Sequence, residues 1–287
     1  GLGLIGGGYP DAEWLQTQID RAEGARVGYG FITWSLARNP GVLDLALDRG
    51  PAAVMLSFGE LAPFADRIHA AGVPLIAQVQ NLDQARRALD AGAEVIVAQG
   101  GEAGGHGMSV RSTFTLVPEV VDVVADRSPA TLVAAAGGVG DGRGLAAALA
   151  LGADGAVVGT RFWATPEALV SPKAQQRAVA AGGDDTVRTR VYDVVRRLDW
   201  PAGYTVTVRA LNNAFLGTWH GNEAELSARL PEAIDAYEKA VAAEDFDTAA
   251  ILVGEGVGRI REIRPAAEIV AEMVGDAKRI LNRDAAP

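Results

Sequence analysis

The residues best suited to chemistry lie in one short run, Gln99-Gly100-Gly101-Glu102-Ala103-Gly104-Gly105-His106-Gly107. It follows the apolar stretch 95–98, so it begins where a buried strand ends. Glycines let backbone approach a ligand closely and adopt dihedrals that other residues avoid. Among them stands His106, whose side-chain type titrates near neutrality and can give or take a proton. A rigid strand, an open backbone and a titratable ring together suit a cofactor site with an acid–base group beside it.

A second cluster, Ala136-Gly137-Gly138-Val139-Gly140-Asp141-Gly142-Arg143-Gly144, follows the apolar run 132–135 and precedes a helical pattern over 145–151. A third run, Gly155-Ala156-Val157-Val158-Gly159-Thr160-Arg161-Phe162, comes next. Strand, glycine turn, helix, strand and Gly-Thr in succession predict a phosphate cradle between Gly137-Gly138 and Gly159-Thr160. Backbone N–H groups and the intervening helix N-terminus would stabilise the anion. The loops after the last two strands of a parallel α/β barrel commonly hold such a group. One cradle and no second nucleotide site favour a mononucleotide.

These loops need strands to position them. Seven apolar runs, at 2–6, 27–35, 52–58, 74–79, 95–99, 132–136 and 156–162, read as strands. Helical patterns at 11–24, 42–49, 61–71, 82–91, 117–126 and 143–151 alternate with them. That rhythm predicts βαβ units and a parallel sheet. The expected fold is α/β, a TIM-type (β/α)8 barrel apparently lacking its first strand. A closed barrel of this type has eight strands, so the gap is expected between the first run and the last. The Gly1-x-Gly3-x-x-Gly6 pattern lies inside an apolar run and is read as accidental, because a dinucleotide fingerprint follows its strand.

After residue 165 the rhythm stops. Residues 1–165 are read as the barrel. Residues 166–262 are read as a mainly helical lobe over its mouth, with helices near 172–181 and 223–243. Residues 263–287 are read as a C-terminal helix packing back on the barrel, with Pro265 in its first turn. Such a lobe would exclude water from a bound cofactor or join two copies in a homodimer.

With 287 residues, 49% of them hydrophobic and 22% charged, the chain can bury a sizeable core. A net charge of −10 argues against a nucleic-acid partner. No apolar run reaches the ~20 residues that a membrane span needs. No secretory signal pattern is visible, which is compatible with a cytoplasmic protein. Cysteine is absent, so disulfides and thiolate chemistry are excluded. The three histidines, His69, His106 and His220, show no metal-ligand spacing.

The glycine–histidine run, Ala136-Gly137-Gly138-Val139, the stretch from Gly152-Ala153-Asp154-Gly155 to Gly159-Thr160-Arg161-Phe162, Gly256-Val257-Gly258 and Ile263-Arg264-Pro265-Ala266 resemble the nitronate monooxygenase (2-nitropropane dioxygenase) family. The FMN-dependent enoyl-acyl-carrier-protein reductases are similar across the same motifs. The resemblance implies FMN as cofactor. It also implies oxidation of an alkyl nitronate or nitroalkane with O2 to a carbonyl compound and nitrite. NAD(P)H-dependent enoyl-thioester reduction and non-catalytic flavin binding are the alternatives.

By the same resemblance His106 is the catalytic base or substrate-binding residue. Gln99, Gly104 and Gly105 lie on the flavin, and Gly137, Gly138, Val158, Gly159 and Thr160 hold its phosphate. Many members carry an Asn on an early strand where this chain has Phe31-Ile32-Thr33-Trp34-Ser35, and the Thr33 hydroxyl is the expected substitute. Gln78 is polar within an apolar strand, so it contacts cofactor or joins a buried network. Gln99 either meets the flavin or satisfies backbone groups. Glu102 is expected to brace the loop and His106, and His69 to be an exposed helical residue; His220, beside Trp219, is either an ordinary lobe residue or one that reaches the barrel mouth.

Overall fold

A computed structural model of the chain describes residues 1–9, 11–22, 24–108 and 110–282. Residue 23 of the expected first helix and residues 283–287 of the expected C-terminal segment lie outside them. The chain forms two compact units. The first comprises Gly1–Ala98, Leu116–Ala134 and Gly152–Asp154; the second comprises Gln99–Thr115, Ala135–Leu151 and the chain from Gly155 onward.

Seven strands make a parallel sheet: β1 (Leu4–Gly6), β2 (Gly28–Ile32), β3 (Val54–Ser57), β4 (Leu75–Val79), β5 (Val95–Gln99), β7 (Leu132–Ala136) and β8 (Gly155–Val157). Their order is β1-β2-β3-β4-β5-β7-β8, so β1 and β8 are the outer strands. All seven expected runs are present, in a parallel α/β sheet of barrel type. Ile96, Val97 and Ala98 of β5 are fully buried, as a strand covered on both faces requires. Register is regular, with Gln78 of β4 opposite Val97 of β5.

Side chains finish these elements. Asn81 caps the helix Leu82–Asp90 by accepting from the Gln84 N–H at 2.8 Å. Glu94 accepts from the Leu75 N–H at 2.7 Å, and Asp154 from the Val133 N–H at 2.8 Å. Two strands, β2 and β8, end well before their apolar runs do. β2 gives way to the helix Thr33–Leu36, and β8 is followed by the helix Thr160–Trp163. Apolarity persists past each strand end because the next turn is also partly buried, so composition does not mark the change of backbone.

The second unit departs further from expectation. It contains helices, but also an antiparallel sheet of β6 (Gly105–Gly107), β9 (Thr186–Thr189) and β10 (Thr207–Leu211), in the order β6-β10-β9. Its aromatic core joins Tyr192, Phe215, Trp219 and Tyr237, with Tyr192 and Phe215 stacked at 6.2 Å. The expected helix over 223–243 is two helices, Glu223–Ala228 and Leu230–Ala243. Pro231 sits in the first turn of the second, where its missing N–H is tolerated. The last helix, Ala266–Leu281, packs on Gly142–Ala150, and Pro265 is its N-cap rather than its first residue. No helix among the described residues is long and apolar enough to cross a membrane.

Candidate functional site

His106 is the middle residue of β6. Antiparallel pairing sets it opposite Val208 of β10, and Val208 is in turn opposite Thr189 of β9. The chain then turns into the short helix Val191–Val195, where the Thr189 hydroxyl accepts from the Val191 N–H at 3.1 Å. That turn delivers Asp193 to the histidine. Nε2 of His106 lies 2.6 Å from Oδ1 of Asp193, and the two side chains are 11% and 7% exposed. Trp200 covers the imidazole, with ring centroids 5.0 Å apart.

A carboxylate only accepts hydrogen bonds, so the proton of the neutral ring resides on Nε2 and the lone pair on Nδ1. The ring is thereby oriented as well as ionically supported. Oδ2 of Asp193 is buried and has no hydrogen-bond partner among the described residues.

The loop before His106 is held rigidly. Gly100 N–H donates to Ala136 at 2.8 Å, and Gly101 N–H to Arg111 at 2.7 Å. The Glu102 carboxylate accepts from the Thr113 N–H at 2.9 Å. Glu102 therefore braces the loop as expected, but Asp193 rather than Glu102 holds the histidine. Arg188 and Arg209, directly opposite each other on β9 and β10, both donate to the Gly101 carbonyl, at 3.0 and 3.1 Å through Nε. Like charges so placed repel. Burial, with Arg209 alongside, pulls the Arg188 guanidinium down to about 10, against the opposing charges of Glu255 and Glu102. Glu255, 2.9 Å from Arg209, offsets part of the repulsion.

The 253–258 segment links the three glycine clusters. Gly254 N–H donates to the Thr160 hydroxyl at 2.9 Å, and Glu255 N–H to the Glu102 carbonyl at 3.0 Å. A Cβ on Gly104 would stand 2.5 Å from the Val253 carbonyl carbon, and one on Gly256 would stand 3.7 Å from the Gly138 oxygen. Gly104 is therefore demanded by the protein's own chain. Gly137 and Gly138 take consecutive positive φ, 105° and 74°. Nothing lies within 4 Å of a Cβ built on Gly105 or Gly159, so both have open space on that side.

Most of the expected site residues fall in this unit: Gln99, Gly104, Gly105, His106, Gly137, Gly138, Val158, Gly159 and Thr160. Gln99 turns its Nε2 to the His106 carbonyl at 3.1 Å, which steadies β6. Thr33 and Gln78 belong to the first unit. Thr33 is 1% exposed and its hydroxyl donates to the Ser57 carbonyl at 2.7 Å; Gln78 is half-buried on β4. His220 lies 3.3 Å from the Thr189 hydroxyl and 3.9 Å from Glu223. His69 is not a freely exposed residue: it is half-buried and 3.5 Å from Glu94.

Asp193, Trp200, the Arg188–Arg209 pair and the linking role of 253–258 were not read from the sequence. For the arginines a signal existed. Thr-Val-Arg-Thr at 186–189 and Thr-Val-Arg-Ala-Leu at 207–211 alternate with the period of a strand.

The parallel barrel-type sheet makes this an α/β protein, and its second unit carries a carboxylate-held histidine in a glycine loop. A family model for nitronate monooxygenase matches residues 14–276, and the chain belongs to that family. The nitronate monooxygenase of Neurospora crassa is 34% identical over 85% of this chain, and the chain spans only 63% of that protein's length. Nitronate monooxygenase npaC of Metarhizium robertsii is 37% identical, over 89% of this chain and 74% of its own. Among solved structures, FabK from Thermotoga maritima superposes with a TM-score of 0.82 at 28% identity, covering 99% of this chain and 86% of that one.

Proposed function

We propose that this chain is a flavin-dependent oxidoreductase that binds FMN and oxidises alkyl nitronates with O2, releasing a carbonyl compound and nitrite. The observation that carries the reading is the 2.6 Å contact between His106 and Asp193 inside the glycine loop. The family membership supports the substrate class.

The residues present fit the cofactor. The exposed, positive-φ Gly138 and the open side of Gly159 leave backbone clear of close side chains, as a terminal phosphate needs, while Gly137 turns the chain against Thr113. Val158, Gly159 and Thr160 would complete that cradle. The Thr160 hydroxyl accepts from Gly254, so its own hydrogen is left for a phosphate oxygen. One expected element is corrected. The N-terminus of Gly142–Ala150 is capped by Asp141, which accepts from Arg143 and Gly144 N–H at 3.0 and 3.3 Å. A phosphate therefore belongs on the glycine turns and not on that helix end. Gly105 and Gln99 would border the ring system.

Bound flavin would supply the redox chemistry, taking electrons from the nitronate and passing them to O2. The protein supplies the proton chemistry. With Nε2–H committed to Asp193, Nδ1 of His106 is the atom that removes the α-proton of a neutral nitroalkane. The resulting imidazolium is stabilised by the Asp193 carboxylate and can hold nitronate oxygens by a charge-assisted bond. Trp200 against the ring limits water and keeps the imidazole in one orientation.

The test is anaerobic mixing of FMN-loaded protein with ethyl nitronate, nitroethane or NADPH while the flavin spectrum is followed. Bleaching by the nitronate, with nitrite released in air, is the expected result. Bleaching by NADPH with inertness to nitronate would replace this reading with an enoyl-thioester type reductase. FMN binding with neither reaction would leave a flavin-binding protein only.

A further inference from the structure

Arg161 of the Gly-Thr-Arg-Phe run is 8% exposed, and its Nη1 is buried with no acceptor among the described residues. A desolvated guanidinium without a partner is costly, and native proteins rarely tolerate one unless something else satisfies it. Burial, together with the nearby charge of Arg264, pulls its proton affinity down, while Glu272 and Glu262 act the other way. The residue lines a cavity of about 550 Å³ within the second unit, whose wall also carries Arg143, Arg259, Arg261, Arg264 and Arg279.

The acidic residues of this wall are already engaged. Asp141 is shared by Arg143 and Arg259, Asp276 is paired with Arg279, and Arg264 holds both Glu262 and Glu272. Arg161 and Arg261 are left without an ion pair among the described residues, so the wall carries two more arginines than carboxylates. Two unpaired guanidiniums match the charge of one phosphate group, and arginine forks suit its oxygens. The cavity lies within the size range of small-molecule sites and is larger than a bare phosphate requires.

We propose that this arginine-lined cavity is a second anion site, taking the phosphate group of a phosphate monoester with Arg161 as its buried anchor. Arg261 is the outer contact, and the ion-paired arginines hold the wall in shape. The site is separate from the flavin reading, because none of Gly137, Gly138, Gly159 and Thr160 lines this cavity.

The test is calorimetric titration of the FMN-loaded protein with inorganic phosphate and with AMP, in buffers matched in ionic strength with NaCl. Flavin absorbance and fluorescence are recorded throughout. Saturable binding with the flavin retained is expected, AMP binding more tightly than phosphate where the organic body fills the cavity. Equal affinity for the two would assign the site to free phosphate. Arg161→Met should weaken either ligand about 10- to 100-fold, the scale of a lost charged hydrogen bond. It should also melt no lower than wild type without ligand, since an unpaired buried charge has gone. Arg261→Gln, at an exposed position, keeps the test open if Arg161→Met does not fold; it should weaken binding about two- to fivefold. The proposal is overturned by absence of saturable binding, by unchanged affinity in the variant that folds, or by release of flavin as the anion binds.

Discussion

Replacing Asp193 by Asn tests how the site sets its base. The substitution keeps shape but exchanges one acceptor-only oxygen for an NH2 group. Two orientations are open to the new amide. With its oxygen on Nε2, the NH2 group falls at the Oδ2 position, which is buried and has no hydrogen-bond partner among the described residues. With its NH2 on Nε2, the oxygen falls there instead. An orphaned buried donor group is rarer than an under-satisfied carbonyl, and leaving one unmade costs about 1–3 kcal/mol. With the side chains 7% and 11% exposed, water cannot relieve it. The amide therefore donates to Nε2, and the neutral imidazole must carry its hydrogen on Nδ1. The base is then lost although every heavy atom stays near its place. Turnover of a neutral nitroalkane should fall about 10²–10⁴-fold, the usual worth of a general base. A pre-formed nitronate needs no deprotonation and should lose about tenfold or less, through the weaker charge-assisted contact. Because the chain has three histidines, ¹⁵N-histidine NMR resolves the ring nitrogens and reads the tautomer directly, with or without flavin. A variant that keeps Nε2–H and full nitroalkane turnover would refute the argument. Equal losses on both substrates would make His106 a positioning residue and not the base.

Three further perturbations follow from the same geometry. His106→Ala should purify with its FMN, read from flavin absorbance, and lose about 10²–10⁴-fold with nitroethane but much less with ethyl nitronate, measured as nitrite. Gly104→Ala places a Cβ 2.5 Å from the Val253 carbonyl carbon, backbone that is tied through Gly254 to Thr160. It should destabilise by about 1–3 kcal/mol in urea titration, and wild-type stability would show that the 253–258 segment yields freely. Asp141→Ala removes the cap of Gly142–Ala150 and should cost about 0.5–2 kcal/mol. Burial raises the Asp141 carboxyl, but hydrogen bonds from Arg143 and Gly144 outweigh it and leave the group below its ordinary value. A lowered folded value means the contribution is whole above the ordinary carboxylate range and lost as pH falls through the folded value. The difference between Asp141→Ala and wild type should therefore shrink below roughly pH 4. A difference unchanged down to pH 2 would detach the carboxylate's charge from the cap.

The seven parallel strands were legible because short apolar runs alternate with helical patterns, and such runs need no distant partner to be seen. Elements defined by distant pairing were not. β6 is three residues of glycine and histidine, and nothing local marks it as a strand. It exists because β10, about a hundred residues later, pairs with it. Glycines were readable as positions needing close approach, but not as to what approaches. At Gly104 it is the Val253 backbone; at Gly105 and Gly159 the space is open. The histidine was visible by type, while its partner lies 87 residues on, in a stretch without helical rhythm. The register explains how that stretch becomes part of the site. Two cross-strand steps lead from His106 through Val208 to Thr189, and the turn that Thr189 starts brings Asp193 back beside the ring. Asp193 is a surface-type residue until that antiparallel register forms, so the base is set by tertiary pairing and not by its motif. Weakening β10 without touching either residue should therefore loosen the His106–Asp193 contact.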